Sequence, residues 1–303
     1  MKILIVGAGV IGTVYGAHLA AAGNTVNFLS HGARTHVIAA SGLSVRDKNG
    51  GGQLDAPVSV VQRADGTYDV MLVAVRRDQL ATACAALAQL GGRPAIVLFG
   101  NNPAGHSGVP ADIPGDVYLG FPGIGGALVD GTASYVRIPP QPTALERASD
   151  RRLAALESAL AGRGFDVQRV KDMDGWLAYH AAFVACIAAA LYRSGTDPLR
   201  LSADRKTLTL MCRAITQSFA ALHASGTGGL PRNLSVLHSR FLTAVAVRYW
   251  ARTMGSPRGE LWFAAHARHS EAEMRALGHD VQARSPGLPA VDELLGSSRP
   301  PIL

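Results

Sequence analysis

The chain has 303 residues, which is enough for two domains that each bury a hydrophobic core. Its hydrophobic content of 48% excludes a largely disordered protein. The net charge of +7 comes from scattered arginines without a basic cluster, which argues against nucleic acid as a partner and favours an anionic cofactor and substrate.

The first predicted element is a buried strand that ends in a glycine-rich turn. Residues 2–12 read KILIVGAGVIG. The motif glycines are Gly7, Gly9 and Gly12. In this G-x-G-x-x-G spacing, the glycines allow a tight turn, a close approach of backbone to pyrophosphate, and close packing of the next helix. A helix over 10–22 follows, and we expect its first N–H groups, including those of Val10 and Ile11, to face the phosphates.

The second strand, predicted over 25–30, bears on the choice of nucleotide. An NAD site usually has an acidic residue about 20 residues beyond the glycines, where it binds the ribose 2′-hydroxyl. No acid occurs here. Arg34, together with Ser30 and His31, is instead a candidate for binding a 2′-phosphate, which favours NADP. The alternative, that Arg34 is a solvated loop residue, stays open.

The rest of the first half alternates strands and helices. Strands are predicted over 69–75, 95–99, 117–119 and 165–170, and helices over 79–90 and 152–161. Three consecutive glycines at 50–52 indicate a hairpin turn or loop. This βαβ pattern predicts a parallel sheet covered on both faces, and hence an N-terminal Rossmann domain over 1–170.

From residue 172 onward no strand pattern is visible. Helices are predicted from 172 or 174 to 192, from 202 or 204 to 225, and over 231–255, 258–283 and 289–295. The prediction is an α/β fold in which the Rossmann domain is followed by an all-helical domain over 171–303.

Two features of this half bear on the environment of the protein. Residues 176–192 carry no formal charge, but the stretch is shorter than a ~20-residue membrane span, so a buried helix is expected and no membrane partner. The three cysteines are far apart and form no CxxC motif, which fits a reducing cytoplasm. A homodimer through the Ala-rich helical domain is a candidate assembly.

Four segments carry a family resemblance. They are 7–12 (GAGVIG), 69–80 (DVMLVAVRRDQL), 97–102 (VLFGNN) and 258–262 (RGELW). In this order and spacing they resemble the ketopantoate reductase (2-dehydropantoate 2-reductase) family over nearly the whole chain. The resemblance implies a 6-phosphogluconate-dehydrogenase-like arrangement of the two domains and NADPH-dependent reduction of a carbonyl group.

The resemblance also assigns roles to individual residues. Asn101 corresponds to an asparagine beside the nicotinamide, and is a candidate for orienting the substrate oxygen. Glu260 corresponds to a glutamate that touches the cofactor ribose. Arg76 falls on a lysine of the family and is a candidate anchor for a cofactor phosphate or a substrate carboxylate.

The chain departs from the family on the first helix of the second domain. The family has a catalytic lysine two residues after a tryptophan, then asparagines four and eight residues further on. Alignment on Trp176 places Ala178, Ala182 and Cys186 at these positions. The groups that bind and polarise an α-keto acid are therefore missing. Either the protein reduces something other than ketopantoate, or it does not reduce at all.

Two further sets of residues were candidates for chemistry. His180 is the ionisable residue nearest the missing lysine and is a candidate proton donor, with Tyr179 as a weaker one; the alternative is a buried, hydrogen-bonded histidine. His266, His269 and Glu273 share one helical face, but their charged neighbours indicate a solvated surface, and no metal is expected.

Three functions remain open from the sequence. The one predicted is an NADPH-dependent reductase that acts on the carbonyl or imine of a small molecule other than ketopantoate. The second is different chemistry on the same scaffold, such as an opine or imine dehydrogenase or a non-redox isomerase or cyclase. The third is a non-catalytic NADP-binding regulator.

Overall fold

The computed structural model describes residues 1–30, 32–64, 66–88, 91–111, 113–231, 234–235 and 242–296. The chain divides into two compact units. The N-terminal unit comprises Met1–Asn101 and His106–Met173, and the helical unit comprises Asn102–Gly105 and Asp174–Leu303. The assignment of the short segment 102–105 to the second unit was not predicted.

The main sheet of the N-terminal unit has eight strands. They are β1 (Lys2–Val6), β2 (Thr25–Leu29), β5 (Ser59–Val61), β6 (Val70–Val73), β7 (Ala95–Phe99), β8 (Asp116–Phe121), β11 (Thr143–Glu146) and β12 (Val167–Val170), in the order β12-β11-β8-β7-β6-β1-β2-β5. The six strands that stand between β8 and β5 in this order, both included, are parallel. The apolar runs predict this for all of them except β5, which was not predicted. The expectation of a wholly parallel sheet is wrong, because β11 runs antiparallel to β8. No helix connects these two strands, and a parallel pair needs such a crossover.

A second sheet of four strands was not predicted. It consists of β3 (Leu43–Asp47), β4 (Gly52–Ala56), β9 (Ile124–Val129) and β10 (Thr132–Arg137), in the order β4-β3-β10-β9. Strands β3 and β4 form an antiparallel hairpin around residues 48–51, which confirms the turn predicted from the three glycines.

The N-terminal unit has four α-helices among its described residues, of which the first packs against both sheets. They are α1 (Val10–Ala21), α2 (Ala33–Ser41), α3 (Leu80–Leu87) and α4 (Arg151–Ala161), with 3₁₀ turns at Arg77–Gln79 and Gly105–Gly108. Helix α1 contacts strands of both sheets, and eight of its residues are buried. Gly16 is needed there, because a Cβ at that position would lie 2.6 Å from the ring of Phe28.

In the helical unit the described residues form helices without strands, as predicted. The helices are α5 (Met173–Arg193), α6 (Pro198–Ala203), α7 (Arg205–Ala224), α8 (Thr243–Met254), α9 (Ala265–His269), α10 (Glu271–Arg284) and α11 (Pro289–Leu295), with a π-helix at Gly259–Ala264. The predicted start of α7 is confirmed, since the Asp204 carboxylate caps the helix by accepting from the Thr207 N–H at 3.0 Å.

Two predicted helices differ from the structure. The single helix predicted over 258–283 is wrong: the π-helix opens it and Ser270, outside helical geometry, interrupts it. Of the helix predicted over 231–255, the structure has 243–254, and residues 232–233 and 236–241 lie outside the described part of the chain.

Helix α5 is the one described helix that is long and apolar enough to cross a membrane. Of its most apolar stretch, 89% is buried inside the protein. Such burial is typical of a core helix, and the largest apolar cluster of the helical unit is built around α5.

Candidate dinucleotide site

The ends of four parallel strands form one row in the N-terminal unit. Val6 of β1 lies opposite Leu29 of β2 and Val73 of β6, and Val73 in turn lies opposite Leu98 of β7. The segments that leave these strands therefore start at the same edge of the sheet. In doubly wound sheets this carboxyl edge is where ligands bind.

The glycine motif occupies the middle of this edge, and each glycine has a different steric environment. Gly7 has a φ of +102°, and a Cβ there would lie 2.5 Å from the carbonyl oxygen of Ala74. A Cβ on Gly12 would lie 2.0 Å from the carbonyl oxygen of Gly7. No atom lies within 4 Å of the Cβ position of Gly9. The first and third glycines are thus required by packing, whereas the second faces open space.

Helix α1 begins directly after this open position. Gly9 precedes its first residue and provides no side-chain cap, and the first turn contains no acidic residue. The leading N–H groups of an α-helix, here including those of Val10 and Ile11, have no partner within the helix. The positive end of the helix is therefore not neutralised by its own side chains, and the loop fits a pyrophosphate.

The candidate 2′-phosphate residues follow β2. Ser30 is buried at the end of the strand. His31 lies outside the described residues. Arg34 lies in the first turn of α2 and is half-buried, and its Nη1 donates to the Gly131 carbonyl at 2.8 Å. The interpretation of Arg34 as a solvated loop residue is therefore wrong.

The guanidinium of Arg34 retains bonding capacity. Its Nε is buried and has no hydrogen-bond partner. Burial also lowers the pKa of Arg34, because it disfavours the charged form of the side chain. An anion bound beside the guanidinium would offset this cost. Gly131 was not foreseen as a partner, although Asp130-Gly131 is a known hairpin signal. Both residues have positive φ values, 48° and 82°, and they join β9 to β10.

Arg76 and Asn101 follow the next two strands of the row. Arg76 leads into the 3₁₀ turn after β6, where its guanidinium forms two hydrogen bonds to Asp78, at 3.1 and 3.2 Å. This contact lowers the pKa of Asp78. The side chain of Arg76 is 57% exposed, so an incoming anion would compete with Asp78 in solvent. Asn101 is half-buried two residues after β7.

His180 belongs to the helical unit and is buried on α5. Its ring stacks on Trp176, with 4.9 Å between ring centroids and 8° between planes. Burial lowers the pKa of His180 to about 3, and the charge of His266 acts in the same direction. The ring is therefore neutral at physiological pH. It can donate one N–H but is not a cationic acid.

The three positions at which the alignment on Trp176 expects a lysine and two asparagines are buried as well. Ala178, Ala182 and Cys186 belong to the apolar cluster around α5. Burial raises the pKa of the Cys186 thiol to about 12, so it is protonated. The hydroxyl of Tyr179 donates to the Thr227 carbonyl at 3.0 Å, a packing contact between two segments of the helical unit.

Glu260 is the second residue of the π-helix, and its carboxylate pairs with Arg268. Arg268 also donates to the Thr196 carbonyl at 3.0 Å. Single π turns occur frequently at functional sites. The shared face proposed for His266, His269 and Glu273 is interrupted by Ser270, and the described part of the chain contains no group of three or more metal-binding side chains.

Comparison with known proteins bears directly on this site. Residues 3–131 match the family model described as "Ketopantoate reductase PanE/ApbA", and this segment contains the glycine loop and all four strands of the row. The resemblance to the ketopantoate reductase family is confirmed over residues 3–131. A search of curated proteins finds no match to this chain.

Solved structures share the fold over both units. A PanE/ApbA family ketopantoate reductase from Ralstonia eutropha JMP134 superposes with a TM-score of 0.75 at 20% identity, covering 98% of this chain and 96% of that one. D-mandelate dehydrogenase with NADH and anilino(oxo)acetate gives 0.73 at 15% identity, with 98% and 96% covered. A dimeric ketopantoate reductase from Staphylococcus aureus gives 0.69 at 14% identity, again with 98% and 96% covered. These structures show that both units share the fold of ketopantoate reductases and of D-mandelate dehydrogenase.

Proposed function

We propose that the protein is an NADPH-dependent reductase that acts on a carbonyl or imine group of a small molecule other than ketopantoate. The observation that carries this proposal is the glycine loop. At Gly7 and Gly12 a Cβ would lie 2.5 and 2.0 Å from a carbonyl oxygen, so no other residue fits there. At Gly9 the Cβ position is open, and it lies at the carboxyl edge of the sheet. This combination suits a dinucleotide pyrophosphate.

The choice of NADPH depends on the charges that follow β2. Residues 27–34 contain no acid to accept a bond from a ribose 2′-hydroxyl, and Arg34 is a half-buried cation with an unpaired N–H. A 2′-phosphate would supply the missing partner. The D-mandelate dehydrogenase neighbour is described with NADH, so the shared fold does not decide between the two nucleotides.

The residues of this chain would bind the cofactor, orient the substrate and donate hydrogen bonds to it. Bound NADPH would supply a hydride for reduction, and the proton taken up by the substrate oxygen or nitrogen would come from solvent. The backbone of residues 7–12 would hold the pyrophosphate, and Glu260 would bind the ribose. Asn101 would orient the substrate oxygen or the nicotinamide amide, and Arg76 would exchange Asp78 for a phosphate or carboxylate. His180, neutral at physiological pH, would donate an N–H hydrogen bond to the substrate rather than act as a cation.

The substrate class follows from what α5 lacks. No lysine occurs between Lys171 and Lys206, and Ala178, Ala182 and Cys186 are apolar and buried. These residues cannot pair with the carboxylate of an α-keto acid. A bulkier and less polar carbonyl or imine fits this composition better than ketopantoate.

A thermal-shift titration with NADPH and NADH, followed by absorbance at the NADPH band, tests the proposal. We expect greater stabilisation by NADPH, no oxidation with ketopantoate, and oxidation with a bulkier ketone or imine. Oxidation with ketopantoate would overturn the substrate assignment. If neither NADPH nor NADH raised the melting temperature, the cofactor site itself would be overturned. Turnover that requires an amine together with a keto acid would instead identify an opine-type dehydrogenase.

A non-catalytic NADP-binding protein is the second candidate. The low pKa of His180 and the apolar positions on α5 favour it, because neither provides a charged acid. Tight NADPH binding without turnover across a panel of ketones, imines and keto acid–amine mixtures would support this function over the reductase.

We further propose a cytoplasmic homodimer assembled through the helical unit. The three cysteines are free and buried, which is compatible with a reducing compartment. The Staphylococcus aureus neighbour is described as dimeric. Light scattering coupled to gel filtration distinguishes a dimer of about 63 kDa from a monomer of 31.6 kDa.

A further inference from the structure

An open groove lies on the helical unit between the start of α7 and one face of α8. Its volume is about 590 Å³. The lining residues are Arg205, Ala244, Val247, Arg248, Ala251 and Arg252. Three arginines and three small apolar residues thus line the groove. We call this feature the arginine groove.

The arginines of the groove lack partners within the described structure. Among the described residues, no hydrogen bond or ion pair involves the guanidinium group of Arg205, Arg248 or Arg252. Other arginines of the same unit have such partners: Arg193 bonds the Glu293 carbonyl, and Arg200, Arg268 and Arg275 pair with carboxylates. The groove therefore brings together three cationic side chains without a partner in the described part of the chain, whereas Arg213 of α7 lies outside it.

The sequence around the groove contains no acid that could neutralise it. From residue 205 to residue 259 there is no Asp or Glu, and there are eight Lys or Arg residues. The nearest acid along the chain, Asp204, uses its carboxylate to cap α7, with bonds of 3.0 and 2.6 Å to the N–H and hydroxyl of Thr207. Arg248 and Arg252 are one turn apart on α8, where like charges repel.

We propose that the arginine groove binds a small polyanion carrying two or more phosphate or carboxylate groups. A guanidinium presents a planar pair of N–H donors that matches either group. Three of them on two helices can bind an ion with more than one anionic group. The volume falls within the range of about 300–1,000 Å³ typical of small-molecule sites. This site would be separate from the glycine loop and does not depend on the proposed reductase activity.

Isothermal titration with pyrophosphate and with citrate, at ionic strength matched with sodium chloride, tests this proposal. The variants are Arg248→Gln/Arg252→Gln and, as a control, Arg213→Gln, which removes an exposed charge from α7 outside the groove. We expect the Kd of one or both anions to rise at least tenfold in the double variant and to stay unchanged in the control. The anion that binds tighter identifies the preferred group.

Binding of pyrophosphate at the glycine loop is common to all three proteins and does not affect the comparison. Circular dichroism checks that the double variant is folded, and the single variant Arg252→Gln replaces it if it is not. Equal affinities in all three proteins would overturn the proposal. So would tighter, arginine-dependent binding of a 20-nucleotide single strand, since that would identify the groove as a nucleic-acid surface.

Discussion

At the scale of single residues, Arg34 connects the sequence argument for NADP to a contact in the fold. Its Nη1 is bonded to Gly131, and its buried Nε is left without a partner. We expect Arg34→Gln to raise the Kd for NADPH about tenfold and leave that for NADH unchanged, because a charge-assisted bond to the 2′-phosphate is lost. Fluorescence titration of both nucleotides measures this.

The matched control is Arg46→Gln, which removes an exposed arginine from the second sheet of the same unit. Its affinity for NADPH should equal that of the unmodified protein. An Arg34→Gln protein that binds both nucleotides as before would exclude Arg34 from 2′-phosphate recognition, and Arg34 would then serve only to hold the β9–β10 turn.

At the scale of elements, different glycines of the turn between β1 and α1 serve helix packing and cofactor binding. Gly9 has a φ of −72° and open space around its Cβ position, so Gly9→Ala should leave the melting temperature unchanged. The added methyl group would occupy the space of the pyrophosphate, and we expect NADPH affinity to fall at least about tenfold.

Gly12→Ala, unlike Gly9→Ala, should lower the stability of the protein. Its Cβ would meet the Gly7 carbonyl oxygen at 2.0 Å, and overpacking of this kind costs about 1–3 kcal/mol. We expect the free energy of unfolding in urea to fall by that amount. If Gly12→Ala kept full stability while Gly9→Ala lost it, the assignment of the third glycine to helix packing and the second to the cofactor would be wrong.

The same elements explain how far the sequence predicts the fold. Apolar runs such as 95–99 identify parallel strands because both faces of those strands are buried. The strands of the second sheet escaped prediction because they are partly exposed and lack a continuous apolar run, as in β4. For the site, the spacing of the glycine motif predicts the tight turn at Gly7, the open position at Gly9 and the close packing at Gly12. The partners of Arg34 and Glu260 could not be predicted, since Gly131 and Arg268 reach them only through the fold of the chain. The partner of Arg76, Asp78, lies two residues further along the chain.

At the scale of the whole molecule, buried neutral histidines make stability depend on pH. His18 on α1 is 2.8 Å from the Tyr135 hydroxyl of β10 and links the two sheets of its unit. Burial lowers its pKa from 6.5 to about 4, helped by the charges of Arg137 and Arg163. Burial lowers the pKa of His180 to about 3 and that of His266 in the same direction.

The direction in which stability changes with pH follows from proton uptake by these histidines. Between pH 6.5 and about 4 the unfolded chain protonates these histidines and the folded chain does not, so stability is complete above pH 6.5 and falls as the pH is lowered. His18 alone should account for at most about 2 kcal/mol between pH 6.5 and 4.5. Urea unfolding across this range measures the slope for the natural chain, for His18→Gln, and for the exposed His36→Gln as control. We expect His18→Gln to flatten the slope and His36→Gln to leave it unchanged. Equal slopes in all three proteins would mean that His18 takes up its proton within the fold, and the acid-labile contact would then have to lie elsewhere.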